Sequence, residues 1–202
     1  TSPVPNRVGC GLGLMVIPWG LGAYDRLTIT DNGSQNLHLY SIPSTDTLQN
    51  SILRRAQKDG IYAEGSAAMH LLYNSIDGNN LLASTAYYGI QASSSALYLR
   101  YNSIAQNRAS DGSVRGVTSS GSTVDAQYNW WGSTTGPEVA GVTDTGGGSK
   151  VTTSVTITNW LGKAYEEEHK RGDQPWSLKD GVGIDVATGN FAYQSNDFSI
   201  PT

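Results

Sequence analysis

The sequence is poor in cysteine and in charged residues. Cys10 is the only cysteine among 202 residues, and Asp, Glu, Lys and Arg together make up 15% of the chain. A single cysteine excludes an intrachain disulfide framework and a cysteine-clustered zinc site. The 13 Lys and Arg are outnumbered by 17 Asp and Glu, so the net charge is -4. No basic field is available to attract phosphates, which disfavours nucleic-acid binding.

Long hydrophobic runs are also lacking. The most apolar stretch, Gly9 to Gly22, has 14 residues, whereas a membrane-spanning helix needs about 20. We expect this stretch to be a buried, Gly-rich first coil of the molecule rather than a remnant signal peptide or a contact with a neighbouring subunit. The chain begins with Thr1 rather than Met, which favours a processed or excised fragment.

A repeated tetrad is the main feature that the sequence does contain. QNSI, YNSI, YNSI and YNWW follow one another at intervals of 24, 28 and 27 residues, measured between their asparagines. Those asparagines are Asn50, Asn74, Asn102 and Asn129. A fixed period of this length is typical of stacked solenoid repeats.

The residues before each tetrad predict strands. Met69 and Leu71 alternate with polar residues, and so do Leu97 and Leu99 in the next repeat. Alternation with period two indicates a strand with one buried face. A Gly followed by a β-branched residue then opens the next strand, at Gly60-Ile61, Gly89-Ile90 and Gly116-Val117.

The recurring asparagine has a physical explanation in a stacked coil. A buried side-chain amide can donate to one neighbouring coil and accept from the other, so a column of amides satisfies itself. The sequence therefore predicts a structural ladder of Asn50, Asn74, Asn102 and Asn129 in the turns of successive coils. Two further asparagines, Asn79 and Asn107, recur five residues after their anchors.

This pattern resembles the right-handed parallel β-helix of the pectin-lyase-like superfold, from about residue 27 to residue 160. The resemblance implies an all-β solenoid of about five to six coils. The segment YNWWGSTTGP and the later VTITNWLG resemble the closing coil of secreted β-helix proteins. Trp130, Trp131 and Trp160 are then expected to cap the open C-terminal end of the core.

The end of the chain resembles a second family. The segment GIDVATGNFAYQSNDFSIPT is similar to the segment that precedes the β-shell of RHS/YD-repeat proteins. The matching residues are Val186, Ala187, Thr188, Gly189, Asn190, Asp197, Ile200 and Pro201. A plain β-hairpin with a Thr-Gly-Asn turn is the alternative. We expect a β-helix over 1–162, a linker over 163–182 and the start of an RHS-like segment over 183–202.

Catalytic chemistry has little support in the sequence. No zinc, P-loop, nucleophile-elbow or calcium-loop pattern occurs, and we predict no catalytic residue, metal or cofactor. Counting back from the tetrads predicts an outward column of Asp46, His70, Tyr98 and Asp125. On the same count Arg100 has no acid beside it, and His38 and His169 have no partners.

Several side chains are candidate ligand contacts. His70 and Tyr98 lie on neighbouring coils in this scheme, with Arg100 close by. Tyr73, Tyr101 and Tyr128 form a further column, and the alternation favours an inward orientation for it. If the tyrosines point outward, they form an aromatic strip suited to sugar faces.

The function expected from these features is structural. The chain is interpreted as a non-catalytic extracellular module, secreted or on the cell surface, that acts as a stalk, a surface-binding element or a self-assembly element of a larger RHS-like protein. Expected partners are a polysaccharide or cell-surface component, or further copies in an oligomer or filament. No nucleic acid and no membrane span are expected. The alternatives are a carbohydrate-active enzyme, a lyase or a hydrolase, and a carbohydrate-binding module.

Overall fold

The computed structural model describes residues 13–16, 23–42, 46–65, 67–143, 145–164, 184–185 and 190–191. The chain divides into two compact units, Thr1–Tyr165 and Glu166–Thr202. The first unit is an all-β parallel solenoid of about 4 turns. No described residue belongs to a helix that is long and apolar enough to cross a membrane.

The largest sheet of the solenoid has seven parallel strands in the order β1-β4-β7-β10-β12-β15-β14. Ile61, Ile90 and Val117 align on neighbouring strands, each directly after its strand-opening glycine as the sequence predicts. The strands are β1 Leu14–Val16, β4 Leu37–Tyr40, β7 Ile61–Glu64, β10 Ile90–Ser93, β12 Arg115–Ser120, β14 Pro137–Val139 and β15 Gly148–Val151.

The second sheet has six parallel strands in the order β16-β13-β11-β8-β5-β2. Its strands are β2 Ala23–Asp25, β5 Asp46–Gln49, β8 Ala68–Leu72, β11 Ala96–Arg100, β13 Thr123–Asp125 and β16 Val155–Thr156. Leu71 and Leu99 lie side by side on β8 and β11 and are fully buried. Their alternation with half-buried neighbours gives the sheet one inner and one outer face.

A third sheet of three strands, in the order β3-β6-β9, completes the coil. The strands are β3 Thr28–Thr30, β6 Ile52–Arg54 and β9 Ser75–Asp77. Aliphatic side chains from all three sheets meet in one core, with Ile61, Leu71 and Ile76 among those that have no exposed surface. Stacking therefore buries the inner face that no single coil could cover.

The number of coils is smaller than predicted. The sequence suggested about five to six, and the structure has about 4 turns. Residues 78–89 and 101–114 form no named strand, although Ser103 bridges in parallel to Ser75 and to Trp130. The stretch between β14 and β15 also contains no named strand.

Of the run from Gly9 to Gly22, the structure describes residues 13–16, which belong to the first coil. Within it, β1 pairs in parallel with β4, and Leu14 aligns with Leu37. In the second unit, β17 (Ile184–Asp185) pairs with β18 (Asn190–Phe191) in antiparallel fashion. His169, the linker 163–182 beyond residue 164 and most of the RHS-like segment lie outside the described residues.

Candidate functional site

The tetrad asparagines form a hydrogen-bonded ladder inside one corner of the coil. Nδ2 of Asn74 donates to Oδ1 of Asn102 over 3.0 Å, and Nδ2 of Asn102 donates to Oδ1 of Asn129 over 2.9 Å. The backbone N–H groups of Asn74 and Asn102 donate to the same oxygens. All three side chains are buried. Each amide thus links its own coil to the two adjacent coils.

Asn50 lies outside this ladder, contrary to its predicted position. Leu48 aligns with Leu71, so Asn50 falls one residue before the ladder position and Ser51 occupies it. The backbone N–H of Ser51 donates to Oδ1 of Asn74 over 3.0 Å. Asn50 is exposed and donates from Nδ2 to Asp25 instead. The serine in the QNSI tetrad therefore takes the structural place that the asparagine takes in YNSI.

A second asparagine ladder lies at another corner. Nδ2 of Asn36 donates to Oδ1 of Asn79 over 2.9 Å, and Nδ2 of Asn79 donates to Oδ1 of Asn107 over 3.1 Å. Glycines pack against it: a Cβ on Gly60 would lie 2.7 Å from Nδ2 of Asn79, and one on Gly89 would lie 2.5 Å from Nδ2 of Asn107. Only glycine fits this close approach. Gly60 and Gly89 therefore pack directly against the second ladder.

Tyr73, Tyr101 and Tyr128, here called the tyrosine column, lie on the outer side of the first ladder. Their rings stack, with centroids 5.3 Å and 5.9 Å apart and interplanar angles of 10° and 22°. Tyr128 is 40% exposed, so the predicted inward orientation is wrong. Each tyrosine has a φ between 56° and 60°, and this left-handed residue reverses the alternation at the corner.

Mutual stacking changes what the tyrosine column can bind. Ring faces that contact each other are not open to a sugar ring, so the column presents ring edges and hydroxyls.

The tyrosine column also affects stability. The left-handed backbone costs about 1–2 kcal/mol per residue, and each aromatic pair contributes about 0.5–1.5 kcal/mol. Burial, followed by the negative field of Tyr101, raises the pKa of Tyr73. The two stacked pairs therefore offset only part of the backbone cost of the three left-handed residues.

The outer face of the second sheet carries a cluster of four polar and aromatic side chains. His70, Tyr98 and Asp125 align on β8, β11 and β13, and the His70 and Tyr98 rings meet edge to face at 5.1 Å. Arg100 reaches Asp125 with Nη2 2.5 Å from Oδ2. The prediction that Arg100 has no acid beside it is wrong, because its side chain reaches diagonally to the next strand. We call these four residues the outer cluster.

The electrostatics of the outer cluster favour a fixed ion pair. Burial raises the pKa of Asp125, but the hydrogen bonds and charge of Arg100 together with hydrogen bonds from Gln127 outweigh burial, so the pKa is lowered overall. Arg100 also lies over the Tyr98 ring, 5.9 Å from its centroid. A carboxyl with a lowered pKa stays ionised and is a poor general acid.

Asp46 does not belong to the outward column in which the sequence placed it. It aligns with Met69 on the buried face and is 3% exposed, whereas Thr47 aligns with His70. The difference is the same one-residue slip that displaces Asn50. Because side chains alternate along a strand, a slip of one residue moves a side chain to the opposite face.

The tryptophans at the end of the solenoid have different positions. Trp131 has no exposed surface and belongs to the core, whereas Trp160 is 43% exposed. Trp160 lies against Gly136, where a Cβ would be 2.6 Å from the indole ring. Trp130 is half-buried and bridges to Ser103 of the preceding coil. A groove of about 480 Å³, bordered by Trp160 and Pro137 among others, lies at this end.

His38 has partners that the sequence did not reveal. Its Nε2 lies 2.8 Å from Oε1 of Glu64, and its ring stacks on Tyr62 with centroids 5.2 Å apart. The Tyr62 hydroxyl donates to Oε2 of Glu64 over 2.8 Å. These contacts join strands β4 and β7. The register of these two strands could not be predicted from the sequence, because their repeats share no tetrad.

The fold and its ladders define the chain as a parallel β-solenoid with an internally hydrogen-bonded core. Comparison of the chain with known protein families, with curated proteins and with solved structures gives no match. Within the parts of the chain that the structure describes, no group of three or more His, Cys, Asp or Glu side chains could hold a metal ion.

Proposed function

We propose that this chain is a non-catalytic β-solenoid module that provides a rigid structural element within a larger secreted protein. The observation that carries the proposal is the first asparagine ladder, in which Asn74, Asn102 and Asn129 tie consecutive coils together inside the core. The second ladder at another corner supports it. Two internal columns of hydrogen bonds suit a stalk, a surface-binding element or a unit of assembly better than a mobile lid or hinge.

The RHS/YD-repeat resemblance of residues 183–202 supports a place in a longer extracellular chain. In that setting the solenoid would act as a stalk ahead of the RHS-like region. Candidate partners are a cell-surface component and further copies of the chain, because the terminal strands of a solenoid have unpaired edges on which another copy can add.

The second candidate function is action on, or binding of, a polysaccharide. The outer cluster favours it, since His70, Tyr98 and Arg100 lie together on the outer face of the second sheet. It is less well supported because Asp125 is held ionised by Arg100, whereas a glycoside hydrolase needs one protonated carboxyl beside an ionised one.

Turnover measurements separate the two candidates. The purified chain is incubated with polygalacturonate or alginate, with and without calcium, and assayed for unsaturated products and new reducing ends. The structural proposal predicts neither. Turnover that disappears in His70→Ala or Arg100→Met, while Tyr128→Phe retains it, would establish the enzyme and overturn the structural role.

A further inference from the structure

Four side chains form a two-by-two block on the outer face of the seven-stranded sheet. His38 and Tyr40 lie on β4, Tyr62 and Glu64 lie on β7, and the register pairs His38 with Tyr62 and Tyr40 with Glu64. His38 and Tyr62 contact the carboxylate, and Tyr40 lies next to Glu64 on the neighbouring strand. Tyr40 is 44% exposed, and the Glu64 side chain is 31% exposed. The block is accessible from solvent.

Glu64 differs from the other accessible carboxylates between residues 23 and 164 whose side chains the structure describes. Each of the others forms an ion pair with an arginine or a lysine: Asp25 with Arg26, Asp31 with Arg55, Asp77 with Arg54, Asp111 with Arg115, Asp125 with Arg100 and Glu138 with Lys150. Glu64 is held instead by His38 and by the Tyr62 hydroxyl. When His38 is neutral, neither partner balances the negative charge of Glu64.

The aromatic rings beside Glu64 add to its attraction for a cation. The rings of His38 and Tyr40 meet edge to face at 6.3 Å, and those of His38 and Tyr62 are stacked. Hydrogen bonding to Glu64, then burial, then the charges of Glu64 and Asp59 raise the pKa of Tyr62. The charges of Glu64 and Asp59 make the field at the Tyr62 hydroxyl negative. His38 stacks on one face of the Tyr62 ring, so the opposite face and the exposed ring of Tyr40 are those that can attract a cation.

The rings around Glu64, rather than its hydrogen bonds, narrow the kind of cation. Oε1 and Oε2 each have one partner, His38 and Tyr62, and each keeps a lone pair for a further donor. The neighbouring aromatic rings, however, offer an apolar contact surface that suits methyl groups better than N–H groups. A methylated ammonium group needs no hydrogen bond and interacts through its charge and its methyl surface. We propose that Glu64, Tyr40 and Tyr62 form a binding site for a quaternary or methylated ammonium group. This site is independent of the structural role proposed above.

The probe for this site is choline, compared with 3,3-dimethylbutan-1-ol, its uncharged isostere. NMR titration at constant ionic strength follows the ring signals of His38, Tyr40 and Tyr62. We expect choline to shift these signals with a dissociation constant of about 1–10 mM, as befits a half-exposed aromatic site. The uncharged isostere should bind at least about tenfold more weakly, because it lacks the charge that Glu64 attracts.

Three variants test which residues carry the binding. Glu64→Gln keeps the shape of the side chain and should weaken choline binding at least about tenfold. His38→Arg supplies Glu64 with a permanent cation and should abolish the binding. Asp31→Asn removes a carboxylate that Arg55 already neutralises and should leave binding unchanged. A melting curve of each variant confirms that it is folded.

Three outcomes would overturn the proposal. They are equal shifts with choline and its isostere, full binding by folded Glu64→Gln, and the absence of any shift at about 100 mM choline, which corresponds to negligible affinity. None of these results bears on the asparagine ladders, so the structural proposal is tested separately.

Discussion

Asn102 donates from Nδ2 to Oδ1 of Asn129 on the next coil over 2.9 Å, and its own Oδ1 accepts from the side chain of Asn74 on the preceding coil. The same amide donates to the carbonyl oxygen of Leu71 over 2.7 Å. One buried side chain therefore satisfies polar groups on both neighbouring coils. Its replacement affects the partners as well as the residue itself.

Asn102→Leu is expected to lower the free energy of unfolding by about 1–3 kcal/mol, because it leaves the N–H groups of Asn74 without their acceptor. Urea denaturation monitored by far-UV circular dichroism measures the change. Asn159→Leu is the matched control, since Asn159 is exposed, and it should change stability by less than about 0.5 kcal/mol. Equal stability of the two variants would show that the ladder contributes nothing.

The tyrosine column gives a prediction about backbone conformation. Tyr101 has a φ of 57°, a region that glycine adopts without strain and alanine does not. Tyr101→Gly should therefore be more stable than Tyr101→Ala by about 1 kcal/mol, although both lose the ring stacking.

Tyr98 supplies the control for this comparison, because it lies on an outer strand position. There the usual order should hold, with Tyr98→Ala more stable than Tyr98→Gly. Thermal or urea denaturation of the four variants makes the test. The same order at both positions would contradict the left-handed conformation of Tyr101.

Asp59 predicts a specific pH dependence of stability. Burial raises its pKa to about 6, despite hydrogen bonds from the backbone N–H of Tyr88 and of Asp59 itself and the charge of Lys58, which act in the opposite direction. The folded state thus binds this proton more tightly than the unfolded state does. Ionisation of Asp59 should reduce stability as the pH rises from about 4 to about 6, by roughly 3 kcal/mol in total.

Asp59→Asn removes the ionisation and keeps an oxygen that can accept from Tyr88. The variant should be more stable than the parent at pH 7, with a flatter profile between about pH 4 and pH 6. Asp111→Asn is the control, because the pKa of Asp111 is lowered to about 2 by hydrogen bonds from Ser113 and by Arg115, and its effect falls below this window. Parallel profiles for the parent and Asp59→Asn would refute the assignment.

The coil and its main ladder could be predicted because the two YNSI tetrads are identical and each follows the same apolar alternation. Asn74 and Asn102 occupy equivalent places, so the sequence alone aligns them. The first coil could not be aligned in this way, because QNSI is similar to YNSI but is displaced by one residue, which misplaced both Asn50 and Asp46. A count based on period two is sensitive to such a displacement, because a shift of one residue moves every side chain to the opposite face of the sheet.

The contacts between outer side chains were harder to predict. The Arg100–Asp125 pair crosses diagonally between strands, and its geometry depends on the rotamer of a long side chain. His38 and Glu64 are 26 residues apart, in repeats that share no tetrad. The orientation of the tyrosine column depends on a left-handed backbone conformation at the corner. A glycine there would have indicated that conformation, but a tyrosine does not.

The central claim is that the module is rigid because its internal ladder holds the coils together. Native-state hydrogen exchange of the backbone N–H groups of Asn74 and Asn102 tests this claim most directly. Both N–H groups donate to ladder oxygens over 2.9 Å. The account predicts that they exchange only through global unfolding, with an exchange free energy equal to the total stability and the same dependence on denaturant. Exchange of these two amides through local opening, with a free energy well below the total and no dependence on denaturant, would contradict it.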